Sequence, residues 1–257
     1  MRYGVIADVH ANLNALDTVL AALRRAGVDR FLCTGDLVGY GPRPNECVAR
    51  IAEIEAITVA GNHDLMATGE LGLGDVNHHV KRTIEWTRAR LDESAAAFLG
   101  TLPRTVTTRD GVTLGHGSLD DPTEYVYDCR AGRDQLELLR EREPAACGLL
   151  LGHTHLPLAC AGGTSLLPED AVTLPDPDTA FLLNPGSVGQ ARERRPLARA
   201  LVLDLDARRA EFMALQYDHE ATSLELRNAG LPSDACHRPP RLRHRLRRYL
   251  GRQFGRP

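Results

Sequence analysis

The chain reads as an α/β protein in which two mixed β-sheets pack face to face, with helices outside both. Three observations carry that expectation. Strand-like and helix-like segments alternate through the first 60 residues, which builds a largely parallel sheet. The second half is rich in short extended segments, enough for a second sheet. The 257 residues, 43% of them hydrophobic, supply core for both.

Residues 2–7 form a short apolar run. Residues 12–25 then place Leu13, Leu16, Val19, Leu20 and Leu23 at helical spacing, giving strand, loop, helix. Phe31, Leu32 and Cys33 make a second strand, residues 44–55 a helix starting at Pro44, and residues 57–60 a third strand. Residues 76–90 and 93–100 read as helices. A hairpin follows, with arms at 104–109 and 112–115 around Asp110-Gly111, and helix resumes at 132–141. Residues 148–151 make a buried strand, and further extended segments fall at 157–160, 171–174, 181–183, 197–205 and 210–216. The proline-rich, acidic stretch 167–179 reads as an exposed loop.

Composition narrows the class. No window approaches 18 uninterrupted apolar residues and no cationic leader opens the chain, so a soluble, cytoplasmic protein is expected. The six cysteines contain no C-x-x-C pair and are too sparse for a disulfide scaffold, so reduced thiols are expected. Residues 236–257 hold eight arginines and no acid, leaving 23 basic against 34 acidic residues in the rest, a net of −11. The sequence therefore divides into a main domain, 1–235, and a basic tail, 236–257. In the tail Leu242, Leu246, Tyr249, Leu250 and Phe254 recur at intervals of three and four, as in a basic amphipathic helix. Such a helix suits an anionic membrane surface or nucleic acid, but docking on the chain's own acidic domain, or a disordered tail, is the favoured reading.

Side chains able to bind metal stand just after the strands: Asp8 and His10, Asp36, Asn62 with His63 and Asp64, His116, then His153 and His155. In sheets of this kind ligands gather at the loops beyond the carboxyl ends of the strands. Asp8-Val9-His10 lets a carboxylate and an imidazole reach one cation. A glycine precedes Asp36, Asn62, His116 and His153, where a missing Cβ lets the backbone turn sharply near an ion. Each residue alone is explained by a turn or a helix cap. Their joint recurrence is not. Oxygen and imidazole donors without thiolate suit Mn²⁺ above all, with Zn²⁺, Fe or Ni²⁺ as alternatives. A two-metal centre needs a bridging carboxylate, and Asp36 is the candidate.

The series D-x-H, G-D, G-N-H-D, G-H and G-H-T-H, over residues 1 to about 216, resembles the calcineurin-like metallophosphoesterases. The resemblance implies a four-layer α-β-β-α sandwich holding two divalent metals. Asp8, His10, Asp36 and His155 would surround one, and Asp36, Asn62, His116 and His153 the other. It also implies that His63 assists at the leaving group and that Asp64 orients it. Two cations roughly 3.5–4 Å apart would lower the pKa of a bridging water and clamp the phosphoryl oxygens, so hydroxide becomes the nucleophile. The second motif reads Gly35-Asp36-Leu37-Val38-Gly39-Tyr40-Gly41, without the arginine that phosphoprotein phosphatases place there. The chain looks more like the small bacterial and archaeal phosphodiesterases of the superfamily. The expected substrate is a small or nucleotide-like phosphate ester; the alternatives are a phosphomonoesterase or protein phosphatase, or a non-catalytic scaffold on the same fold.

Substrate-binding candidates are Tyr40, Arg43 and Asn184. Arg43 stands two residues beyond Gly41 and reads equally as a surface residue at a helix start. Asn184 opens N-P-G-S, a turn that proline and glycine explain unaided. Tyr40, Tyr125 and Tyr127 lie near the motifs and suit either packing or an aryl or nucleobase group. Asn12 reads as a helix cap, and His78 and His79 point in different directions from one helix.

Overall fold

Strand β1 (Arg2–Ile6) lies inside the first sheet and shows how alternation sorts the core. Tyr3 and Val5 face the second sheet, whereas Ile6 faces helices. The computed structural model describes residues 1–74, 76–161, 164–165 and 171–239.

After β1 come α1 (Leu13–Arg25), β2 (Arg30–Cys33), α2 (Pro44–Glu53) and β3 (Ile57–Thr58). Asn12 caps α1 by accepting the Ala15 N–H (3.3 Å), while Arg24 and Arg25 in its last turn complement the helix dipole. Three helices follow: α3 (Asn62–Thr68), α4 (His78–Arg88) and α5 (Glu93–Gly100). The hairpin β4 (Val106–Thr107) and β5 (Val112–Leu114) precedes α6 (Cys129–Arg142) and β6 (Gly148–Leu150). The remainder is β7 (Leu158–Ala161), β8 (Thr164–Ser165), β9 (Ala171–Thr173), β10 (Phe181–Asn184), β11 (Leu197–Asp204), β12 (Arg209–Gln216) and α7 (His219–Asn228).

One sheet runs β3-β2-β1-β11-β12-β9 and the other β4-β5-β6-β10-β7-β8. Each is mixed: β1, β2 and β3 are parallel with β11 antiparallel to β1, and β5, β6 and β10 are parallel with β7 antiparallel to β10. The core between the sheets is built from Val5, Leu32 and Leu201 on one side and Leu114, Leu150 and Leu183 on the other. Outside the first sheet, Leu16, Val19, Leu20 and Leu23 of α1 and Val48 and Ile51 of α2 pack on Ile6, Ala200 and Val202. Outside the second, Leu136 and Leu139 of α6 pack on Leu149 and Leu182. The architecture is therefore the four-layer α-β-β-α sandwich. No helix among the described residues is long and apolar enough to cross a membrane.

One expectation is corrected. Cys129 and Cys160 form a disulfide across 31 residues, with Cα atoms 5.5 Å apart, because the first turn of α6 lies over β7. No short spacing motif announces such a pair. Cys33, Cys47, Cys147 and Cys236 are free thiols, as expected. At the start of the basic segment Cys236 is buried, and the Arg238 N–H donates to Ala191 O at 2.9 Å. The arginine-rich stripe at 242–254 lies outside the described residues.

Candidate metal centre

A left-handed backbone turns the donors inward. Asp8, His10, Asp36, His153 and His155 all have φ between 49° and 63°. Such a conformation costs a non-glycine residue on the order of 1–3 kcal/mol and persists only where neighbours over-determine it. Here the loops clamp one another. Asp8 N–H donates to Gly35 O (3.0 Å), His10 N–H to Asp36 O (2.9 Å), Gly152 N–H to His116 O (2.8 Å) and Gly189 N–H to Asp8 O (2.9 Å). Gly61 meets the same crowding, since a Cβ there would overlap the Asp36 carboxylate.

The outcome is two buried donor sets, Asp8/His10/His155 and Asp36/His116/His153, the donor atoms of each within 4.8 Å of one another. Asp36 joins them: its Oδ2 lies 3.7 Å from His10 Nε2 and 3.3 Å from His116 Nε2. Asn62 Oδ1 lies 3.0 Å from His116 Nε2. All seven ligands expected from the sequence thus converge on one site. His63 stands beside them, in a further set with His10 and Asp36.

The outer nitrogens decide what this cluster fits. His10 Nδ1 donates to Val38 O (3.2 Å), His116 Nδ1 to Thr34 O (2.6 Å), His155 Nδ1 to Gln190 O (2.9 Å) and His153 Nε2 to Thr123 O (3.1 Å). Carbonyl oxygens only accept, so each neutral ring carries its proton outward and turns a bare lone pair inward. His10 Nε2 and His155 Nε2 then oppose each other at 3.1 Å with no proton between them. Asp8 Oδ2 is buried without a hydrogen-bond partner among the described residues. Converging lone pairs of this kind fit cations. The donor chemistry, all oxygen and imidazole, suits a pair of divalent ions.

Without a cation, burial and mutual charge set the protonation. Burial pushes Asp8 and Asp64 up to about 7. Burial also pushes Asp36 upward, but the His116 and His63 imidazoles outweigh it and hold that carboxylate well below its usual range. Burial lowers His10 and His155, takes His63 to about 4 and takes His153 to about 3. For His116 the Asp36 carboxylate overcomes burial and raises the ring to about 9.

The cleft over the donors encloses about 240 Å³ and is lined by Asp36, Asn62, His63, His153, His155, Tyr40, Tyr125 and Arg192, among others. Tyr40 is at the site, packing edge-on to His10 with centroids 4.7 Å apart. Arg43 is not: its guanidinium binds Glu225 (3.0 Å) and Glu46 (3.0 Å) beside a separate surface hollow. Asn184 is also turned away from the cleft. Its Nδ2 donates to Gly152 O (2.6 Å) and Thr154 Oγ1 (3.2 Å), bracing the loop that carries His153 and His155. Asp64 does not hold the His63 ring. Its carboxylate accepts the Leu37 (2.8 Å), Val38 (3.2 Å) and Gly61 (3.0 Å) amides, because successive residues on a helix point about 100° apart. His78 and His79 are both exposed at the start of α4.

Arg192 escaped the sequence reading. It follows N-P-G-S-V-G-Q-A on the loop after β10, with Nε donating to Gln190 Oε1 (3.3 Å). The strand-end rule that found the metal ligands also covers this loop. It supplies a cation to the cleft that Tyr40 of the second motif also lines.

Residues 1–208 match the calcineurin-like phosphoesterase superfamily domain. The chain belongs to this superfamily. It is 34% identical to a metallophosphoesterase from Sphaerobacter thermophilus, whose crystal structure superposes with a TM-score of 0.78 over 92% of this chain and 96% of that one. It is 30% identical to an uncharacterized protein of Methanocaldococcus jannaschii, over 83% of this chain and 87% of the relative. A hypothetical protein from Pyrococcus horikoshii OT3 shares the fold at 18% identity, with a TM-score of 0.76 over 91% of this chain and 96% of that one. Membership of the calcineurin-like superfamily carries metal-dependent phosphoester hydrolysis, and the two donor sets joined through Asp36 and His10 agree with it.

Proposed function

We propose that the protein is a dimetal phosphodiesterase acting on a small or nucleotide-like phosphate ester, with manganese as the favoured metal. One observation carries the reading: two buried donor sets lie side by side at an open cleft, and Asp36 of one set reaches His10 of the other. Two cations bound there would supply Lewis acidity, lowering the pKa of water and neutralising the phosphoryl oxygens during in-line displacement.

The chain's own residues do the remainder. Asp8, His10, Asp36, Asn62, His116, His153 and His155 hold the ions, and the carbonyls of Val38, Thr34, Thr123 and Gln190 fix the imidazole tautomers. Arg192 contributes positive charge for a phosphate oxygen. His63 protonates the departing oxygen; burial lowers its ring to about 4, and the negative charge of an arriving phosphate works in the opposite direction. A single arginine and a cleft of about 240 Å³ favour a small ester over a phosphoprotein. Against a non-catalytic scaffold stands the complete donor set.

Manganese-dependent cleavage of bis(p-nitrophenyl) phosphate, with Asp36→Asn as control, tests the reading. Turnover lost in Asp36→Asn supports it. A metal-loaded wild type that cleaves neither diesters nor monoesters would favour the scaffold.

A further inference from the structure

The loop after β10 carries an arginine whose charge no acid takes. Arg192 lines the cleft together with His153 and His155. Among the described residues it makes no ion pair, and the adjacent acid, Glu193, is held by Arg199 through Nε (2.8 Å) and Nη2 (2.6 Å). Its one hydrogen bond among those residues runs from Nε to Gln190 Oε1 at 3.3 Å.

Gln190 is fully buried and uses its backbone and side chain alike. Its N–H donates to Ser187 Oγ (2.8 Å), and that hydroxyl donates to Asp8 O (2.9 Å). Its carbonyl accepts from His155 Nδ1 (2.9 Å), and its Nε2 donates to Ala235 O (2.8 Å). The last contact decides which way the amide points. A carbonyl only accepts, so the nitrogen faces Ala235 and the oxygen faces Arg192.

An acceptor on Nε leaves both terminal nitrogens of the guanidinium uncommitted, and these present a fork that matches two oxygens of a phosphate. A neutral acceptor also leaves the positive charge whole, whereas a carboxylate in its place would cancel it. Pinning the side chain beforehand removes rotamer freedom that a loose arginine would give up on binding.

We propose that Gln190 is a positioning residue for phosphate capture: its amide oxygen pins Arg192 by Nε and turns the terminal nitrogens toward the phosphoryl oxygens. This rests on the phosphoesterase reading and adds to it the residue that aims the arginine. Through Ala235 the hold extends to the segment after α7, so that segment helps to set the cleft.

The test is equilibrium dialysis of inorganic phosphate against the manganese-loaded full chain, which needs no turnover. Gln190→Met keeps the length of the side chain and removes both poles of the amide. It should weaken phosphate binding about 3- to 12-fold, the range of one ordinary hydrogen bond. In an Arg192→Met background the same change should matter by less than about twofold, because the group it positions is gone. Equal losses in the two backgrounds would make Gln190 merely structural and overturn the proposal. A loss below about twofold with Arg192 present, or no phosphate binding by the wild type, would overturn it too. Wild-type crystals soaked in manganese and inorganic phosphate decide the matter even if Gln190→Met does not fold. The terminal nitrogens of Arg192 should lie on the phosphate with Nε still on Gln190 Oε1; phosphate held through Nε, or Arg192 swung away from Gln190, would contradict the assignment. Turnover of bis(p-nitrophenyl) phosphate by the same preparation reports separately on whether the hydrolytic reading stands.

Discussion

The carboxylate of Asp64 accepts the backbone N–H of Leu37 at 2.8 Å, tying the third motif to the loop that presents Asp36. Its other contacts, with the Val38 and Gly61 amides, make it a clamp between two ligand-bearing loops. Removing it leaves three amides without an acceptor, each costing on the order of 1–3 kcal/mol when buried. Asp64→Ala should therefore destabilise the protein by at least about 3 kcal/mol in urea unfolding. A change below about 1 kcal/mol contradicts the clamp.

His63 is expected to act on the leaving group alone. His63→Gln should lower kcat by roughly 10²–10⁴ for diesters with an alkoxide leaving group and by much less for p-nitrophenolate, which departs without a proton. A rate series over leaving-group pKa checks this. Equal losses across the series would remove His63 from proton transfer.

The two arginines should separate cleanly. Arg192 lines the cleft, and Arg192→Ala should cut kcat/KM by about 10- to 100-fold, the worth of one charge-assisted hydrogen bond. Arg43 is engaged with Glu46 and Glu225 at the surface, and Arg43→Ala should leave kcat/KM within about twofold. Steady-state kinetics on one diester compares them, and the reverse ranking would contradict the placement.

What the sequence made legible, and what it did not, follows from the range of the interactions. Each metal ligand stands directly after a strand and most carry a glycine before them, so local chain geometry announces them. Arg43 also looked local, but its partner Glu225 comes from a helix 182 residues away. The Cys129–Cys160 pair, 31 residues apart, is likewise set by how α6 crosses β7. Asp64 was assigned to its neighbour His63, whereas its acceptor sites are used by amides that only the fold brings near. Helix α7 was not foreseen, because only Thr222 and Leu226 of its ten residues are buried and its apolar stripe is thin.

Stability of the metal-free protein should vary with pH in a defined way. The rings of His10, His63, His153 and His155 have depressed pKa values, so their contribution is lost as pH falls below about 6.5. Asp8 and Asp64, raised to about 7, favour the folded state most at low pH and partly offset those rings as pH rises toward 7. His116, raised to about 9, contributes fully below about 6.5 and loses that contribution as pH climbs through 9. Metal-free stability should therefore peak near neutrality and decline toward pH 9. Manganese should abolish the decline, because the ion takes the place of the proton on His116. Thermal melts from pH 5 to 9, with and without metal, measure both curves, and a metal-free curve still rising at pH 9 would contradict the assignment.

Anomalous diffraction from crystals of the wild-type protein soaked in manganese tests the metal centre most directly. Two peaks are expected, one among Asp8, His10 and His155 and one among Asn62, His116 and His153, with Asp36 between them. A single peak elsewhere, or none at saturating manganese, would contradict the dinuclear site.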